Sequence, residues 1–201
     1  MAAEENKNIS LKITELVDKA REGNRWSFQE LVSIYQEDIY RFVYYRTFSQ
    51  MDAEDITQEI FVQAYRKINS LNDSRKFRSW LYSIAVNRCN DFLRKKRYLT
   101  LLRIRSAQEQ ELTGENRGMG KDDNGSMEKA EFWKKVRSLV NKLSTMEREV
   151  FTLRFMDHRN INEIATILDK SESTVKTHLY RALNKVRKDS GFFQEFRESL
   201  S

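Results

Sequence analysis

The chain has 201 residues, 33% of them charged and none of them proline, where average usage would supply about ten prolines; long helices are favoured over a turn-rich β fold. A net charge of +6 suits a polyanionic partner, and 39% hydrophobic with 11% aromatic residues suffice for a core, which excludes wholesale disorder. A lone cysteine, Cys89, excludes an internal disulfide framework, two histidines leave little for a metal, and no apolar run approaches the ~20 residues of a membrane span.

The N-terminus, MAAEENKN, lacks the apolar core of a signal peptide. A soluble protein of a reducing compartment is expected. The first helix carries the stripe Ile9, Ile13, Leu16, Val17 and Ala20 and stops at Gly23. Ser27 and Glu30 are spaced as a capping box. They open a second helix with Phe28, Leu31, Val32, Tyr35, Ile39, Phe42 and Val43 at i, i+3, i+4, i+7 spacing. Asp52 is the expected N-cap of a third, with Ile56, Ile60, Ala64 and Ile68 inward. A polar loop, Asn72-Asp73-Ser74-Arg75-Lys76, precedes a fourth from Phe77 to Arg97.

From Ser106 to Met127 the composition changes. This stretch holds four of the six glycines, at 114, 118, 120 and 125, and five acids against Arg117 and Lys121. It reads as a flexible acidic linker, since such a length without structure is rare inside a compact domain. Both flanks are basic. The expected division is 1–105, a linker at 106–127, and 128–201. Beyond it, Phe132, Trp133, Val136, Leu139, Val140 and Leu143 form another stripe. Ser144 and Glu147 make a second capping box, and Asn160 caps a short helix over Ile161 to Leu168. A last long helix starts near Ser171 or Ser173 and ends near Gly191. The expected fold class is all-α, with two helical domains joined by the linker.

The C-terminal pair of helices has the layout of a helix-turn-helix. Ile164, Ala165 and Leu168 face inward on the first helix, Val175 and Leu179 on the second. Ala165 is small, as a close crossing needs. Outward on the second stand Ser173, Lys176, Thr177, Tyr180 and Arg181. Lys170 to Lys188 holds six basic residues and one acid, Glu172. A helix that enters a major groove needs donors for base edges at its start and cations along its flanks.

With these residues in view, LSTMEREVFTLRFMDHRNINEIATILDKSESTVKTHLYRALNKVRK (143–188) resembles the promoter-reading C-terminal domain of bacterial sigma factors. DAEDITQEIFVQAYRKI (52–68) resembles their polymerase-binding helix, and FRSWLYSIAVNRCNDFLRKKR (77–97) their DNA-melting helix. All three stand in family order with only these two modules, as in the extracytoplasmic-function group. The resemblance implies an alternative sigma factor that binds core RNA polymerase through its β′ and β subunits. It would recognise −35 and −10 promoter elements in the bacterial cytoplasm, under an anti-sigma factor that is often membrane-bound. The factor itself would not insert in a membrane or act as an enzyme; catalysis is the polymerase's. Two positions depart from the family, Asp169 and Ser173, where glycine is usual. Asp tolerates a left-handed backbone, and Ser can cap the recognition helix.

The acids Asp52, Glu54, Asp55 and Glu59 crowd eight residues. They lack the glycine and spacing of a calcium loop, and helix capping explains only the first ones; no metal and no cofactor is expected. The resemblance implies that Asp52, Asp55, Gln58, Glu59 and Phe61 dock on the β′ coiled coil, although Phe61 fits a core position equally well. Around Trp80 aromatics interleave with cations: Lys76, Phe77, Arg78, Tyr82 and Arg88. Such a surface suits single-stranded DNA, where stacking a base contributes ~1–3 kcal/mol and offsets the few kcal/mol of flipping it. The ring of Trp80 is itself expected to be mostly core. The resemblance places a flipped −10 base near Asn72, Asp73, Ser74, Arg75, Lys76 and Asn87. Arg94, Lys95, Lys96 and Arg97 with Arg103 and Arg105 read as phosphate contacts. On the −35 side the candidates are Ser171, Ser173, Thr174, Lys176, Thr177, Tyr180 and Arg181.

A flexible 22-residue linker spans about 26 Å r.m.s. and reaches about 75 Å extended. One DNA turn is about 34 Å, so two modules can read sites more than a turn apart. The alternatives are a stand-alone helix-turn-helix regulator, which would be a symmetric dimer on a palindrome, a carboxylate-based nuclease or phosphotransfer enzyme, and an RNA-binding helical protein. The nuclease lacks a base, a nucleophile and a phosphate loop in this sequence.

Overall fold

The computed structural model describes residues 2–107 and 127–188, with side chains over 8–100 and 135–188. Among the described residues there are helices and turns and no strand. The centre of the expected linker and the tail beyond Lys188 lie outside them, as do Gly191 and the side chains of Phe132 and Trp133.

Helix α1 (Ala2–Arg21) ends at Gly23, whose φ of +95° suits a residue without Cβ. The chain turns at once into α2 (Arg25–Thr47). Its cap is Asn24, whose side chain accepts from the Ser27 amide at 3.1 Å. Ser27 is therefore not the cap, because the helix starts a turn earlier and buries it. Likewise α3 (Gln50–Lys67) is capped by Ser49, which accepts from the Asp52 amide at 3.3 Å. Asp52 stands instead in the first turn, where its charge meets the helix dipole.

After a 3₁₀ turn at Ile68–Ser70, the polar loop closes as a second one, Ser74–Lys76. Helix α4 (Phe77–Ala107) then runs ten residues past the expected end at Arg97. Helices α2 and α4 bury the largest side chains of the N-terminal core: Leu31, Ile39, Phe42, Phe77, Leu81 and Tyr82. Phe42 and Tyr82 meet edge to face at 5.2 Å. Burying each such aromatic contributes roughly 1.5–3 kcal/mol.

In the C-terminal half α5 (Met127–Lys142) leads into α6 (Thr145–Phe155), capped by the expected Ser144–Glu147 box. Helix α7 (Ile161–Leu168) has its own box between Asn160 and Glu163. Its end is Asp169, left-handed at φ 52°, where the sequence placed the turn. Helix α8 (Glu172–Lys188) follows. Val136, Leu139, Val140 and Leu143 pack with Phe151, Ala182 and Val186 as one cluster. Val150, Leu153, Ile164, Ala165, Ile167 and Val175 instead join the core of the N-terminal half. The α6–α7 segment thus sits against α2 and α4.

Candidate functional site

Helix α3 presents Asp55, Gln58, Glu59 and Val62 outward, while Ala53, Ile56, Thr57, Ile60, Phe61 and Ala64 are buried. Phe61 is 7% exposed and belongs to the core, which corrects its assignment as a polymerase contact. The reason is that α3 packs on both α2 and α4, so its apolar face is wider than a single stripe.

A cleft runs between α3 and α4, floored by Ile56, Phe92 and Leu99. Acids stand on the α3 wall, and the α4 wall carries Arg88, Lys95 and Lys96 with Asp91 among them. The Arg88 guanidinium donates to Glu59 from Nε at 2.7 Å and also from Nη2. Lys96 donates to Asp52 at 2.8 Å. The residues expected to meet polymerase and those expected to meet DNA are thus joined in the free chain, a link that sequence separation concealed.

The loop of residues 72–76 joins α3 to α4 and packs on α1. The Asp73 carboxylate accepts from the Arg75 amide at 3.1 Å and from the Arg75 guanidinium at 3.0 Å from each of two nitrogens. These bonds hold the Asp73 carboxyl below the usual range. Asn72, Arg75 and Lys76 are exposed. Ser74 is buried and donates to Asp18 of α1, so its hydroxyl builds the loop and is not presented to a ligand. Trp80 is half-buried with its ring 5.8 Å from Phe77, as expected. Asn87 and Arg78 are exposed on α4, Arg78 within 3.4 Å of Asp38. Arg94 pairs with Asp91 at 2.9 Å, and Lys95 is exposed.

In the C-terminal half, α7 and α8 form the helix-turn-helix. Val175 is buried and Leu179 half-buried against α7. Asn162 on α7 donates to Glu172 on α8 at 3.3 Å, which fixes the crossing. The cap of α8 is Ser171, whose Oγ accepts from the Thr174 amide at 3.3 Å. Ser173 lies inside the first turn, so it does not take the capping role its position suggested. Ser171, Ser173 and Thr174 share hydroxyl contacts at 2.8–2.9 Å. Ser173, Lys176, Thr177, Tyr180 and Arg181 all point to solvent, and Tyr180 is 67% exposed. Lys176 pairs with Glu172 at 3.3 Å. This is a row of hydroxyl donors followed by cations on one helix face.

The family models agree with this division into two sites. "Sigma-70 region 2" matches residues 31–98, and "Sigma-70, region 4" matches residues 133–186. The helices therefore define an RNA polymerase sigma factor of two regions. The chain is 31% identical over 184 residues to the extracytoplasmic-function sigma factor SigW of Bacillus subtilis, covering 90% of this chain and 97% of the relative. It is 30% identical over 171 residues to the sigma-E factor of Escherichia coli, with 83% and 88% covered. The chain belongs to the extracytoplasmic-function sigma factors, which are transcription initiation factors. The solved structure of CnrH in complex with the cytosolic domain of CnrY has the same fold. Its TM-score is 0.67 at 22% identity, over 90% of this chain and 99% of that one. Among the described residues no helix is long and apolar enough to cross a membrane.

Proposed function

We propose that the exposed face of α3, carried by Asp52, Asp55, Gln58 and Glu59, docks on the β′ coiled coil of core RNA polymerase. The surface around Asn72, Asp73, Arg75, Lys76, Arg78, Trp80, Asn87 and Arg88 reads and opens the −10 element. Arg94 and Lys95 follow its phosphates. Ser171, Ser173, Thr174, Lys176, Thr177, Tyr180 and Arg181 read the −35 element. The domains are 1–105 and 128–201, with 106–127 as the connecting linker. The protein works in the cytoplasm beside polymerase, carries no catalysis of its own, and is held by an anti-sigma factor. The solved folds it resembles were captured with the cytosolic domain of CnrY and with the anti-sigma factor NepR.

The observation that carries this reading is one chain with two exposed nucleic-acid-type surfaces and an exposed acidic face on α3. Only a factor that must hold a large partner while reading DNA at two points needs all three. Fluorescence anisotropy against bacterial core polymerase tests it. Asp55→Arg reverses one charge on the α3 face and should weaken binding by at least tenfold. Equal affinity would reduce Asp55 to a helix-dipole acid, and no binding by the native chain would end the reading.

A further inference from the structure

The loop that leads into α4 buries every third residue. Leu71, Ser74 and Phe77 are 4%, 7% and 1% exposed, while Asn72, Arg75 and Lys76 stand in solvent. This is the three-residue period of a 3₁₀ turn. Accordingly the Lys76 amide donates to the Asp73 carbonyl at 2.9 Å, and the Phe77 amide donates to the Ser74 carbonyl. The two outer anchors are apolar, and the middle one is a hydroxyl. A buried hydroxyl is costly unless it is hydrogen-bonded. Ser74 meets that need by donating to Oδ1 of Asp18, 56 residues earlier on α1. Asp18 is exposed on the other side, with the Arg21 guanidinium 3.6 Å away.

Apolar burial is non-directional, so it sets how deep a residue sits and not how it is turned. Leu71 and Phe77 therefore hold the two ends of the loop and leave rotation about the line between them. A hydrogen bond from the middle position is directional and removes that freedom. What would turn with Ser74 is the exposed edge opposite it. There the Asp73 carboxylate accepts from the Arg75 amide at 3.1 Å and from Nε and Nη2 of Arg75 at 3.0 Å each. The guanidinium is thus tied to the loop backbone, yet the Arg75 side chain is 79% exposed and offers its Nη1 and its flat face outward. Asp18, Ser74, Asp73 and Arg75 form one chain of contacts from the α1 scaffold to a presented cation.

We propose that Asp18 is a positioning residue for base selection: through Ser74 it fixes the angle at which Asn72, Arg75 and Lys76 meet an unstacked −10 base. Asp18 itself touches no DNA. A loop free to turn adapts its donors and acceptors to whichever base enters. A held loop leaves the wrong base facing unpaired polar groups, which is where discrimination arises. The base-selection role rests on the sigma-factor reading of this loop; the anchoring of the loop by α1 does not.

Two measurements on the full-length chain test this. The first is native-state hydrogen exchange of the free protein. Asp18→Ala should speed the Arg75, Lys76 and Phe77 amides by about fivefold and leave the α2 amides unchanged. Asp18→Asn keeps an acceptor oxygen and loses only the charge, so it should exchange like the native chain. The second uses core polymerase loaded with each variant to select from short single-stranded DNA randomised across its central positions, with the bound strands sequenced. The native chain should favour one base at one position by about tenfold. Asp18→Ala should reduce that preference to less than about threefold, with neighbouring positions and polymerase affinity unchanged. Ser74→Ala should do the same, and the double variant should do no more than either alone, because all three remove one bond. Asp18→Asn should retain the preference.

A preference that survives Asp18→Ala overturns the proposal, as does one lost equally in Asp18→Asn. Loss spread evenly over every position would reduce Asp18 to a general folding role and overturns it too. Native chain that binds polymerase but prefers no base overturns the selection role. Native chain that does not bind polymerase overturns the sigma-factor reading and the selection role with it, while loop exchange level across all variants overturns the anchor itself.

Discussion

Arg181 and Asn87 stand on opposite halves of the chain, both exposed, each on a helix face set by buried neighbours. Arg181 follows the hydroxyl row of α8, one position before the buried Ala182. A bidentate guanidinium contact to a guanine edge is worth ~1–3 kcal/mol. Arg181→Ala should weaken promoter binding by that amount and blur the −35 footprint, read by gel shift on wild-type and −35-scrambled DNA. Asn87 offers an exposed donor and acceptor on α4, about two turns beyond the half-buried Trp80. Asn87→Ala should leave polymerase affinity unchanged and lower permanganate reactivity of unpaired thymines. Phe61 and Ser74 teach the opposite lesson. Both sit in segments rich in exposed polar residues, and both are buried, because α1, α2 and α4 close over them. Cys89 is likewise buried, which pushes its thiol up to about 12 and makes it a packing residue.

Among elements, the helix-turn-helix was the most legible. A cap at Asn160, eight helical residues and a turn at Asp169 are local features that fall where spacing put them, while the cap of α8 is Ser171 and not Ser173. Asp169 occupies a left-handed turn at φ 52° that short polar residues tolerate. Asp169→Val places a β-branched residue there and should cost about 1–2 kcal/mol in urea unfolding. An unchanged midpoint would show that the turn relaxes to another conformation. The N-terminal caps were read one turn late, at Ser27 and Asp52. The actual caps, Asn24 and Ser49, each directly follow a left-handed residue, Gly23 and Phe48, and the second of these the apolar periodicity does not mark. Helix α4 outruns its apolar pattern because nothing in its sequence breaks it before Ala107.

At the scale of the molecule, the positive charge is spent on two exposed surfaces while several arginines are turned inward. Arg46 and Arg159 are buried in the seam between halves, so net charge overstates what DNA meets. Salt dependence should therefore report the exposed cations. Lys95→Ala removes one proposed phosphate contact and should reduce the slope of log K against log salt by about one, uniformly across promoter sequences. A slope equal to that of the native chain would place Lys95 away from the backbone. Asp52 and Glu59 also neutralise Lys96 and Arg88 in the free chain, which couples the α3 face to the α4 face before any partner arrives.

The sequence by itself determined what depends on neighbours a few residues apart: the all-helical class, the capping box at Ser144, the cap at Asn160, the helix-turn-helix and the family motifs. Helical period, cap chemistry and charge runs are written in consecutive residues. Only the tertiary structure decided what depends on distant pairs: that Phe61 is core, that Arg88 meets Glu59, and that Arg46 and Glu149, 103 residues apart, meet in a seam between the halves. No local pattern distinguishes a charge that will be buried from one that stays in water, because burial is set by which helix packs across it.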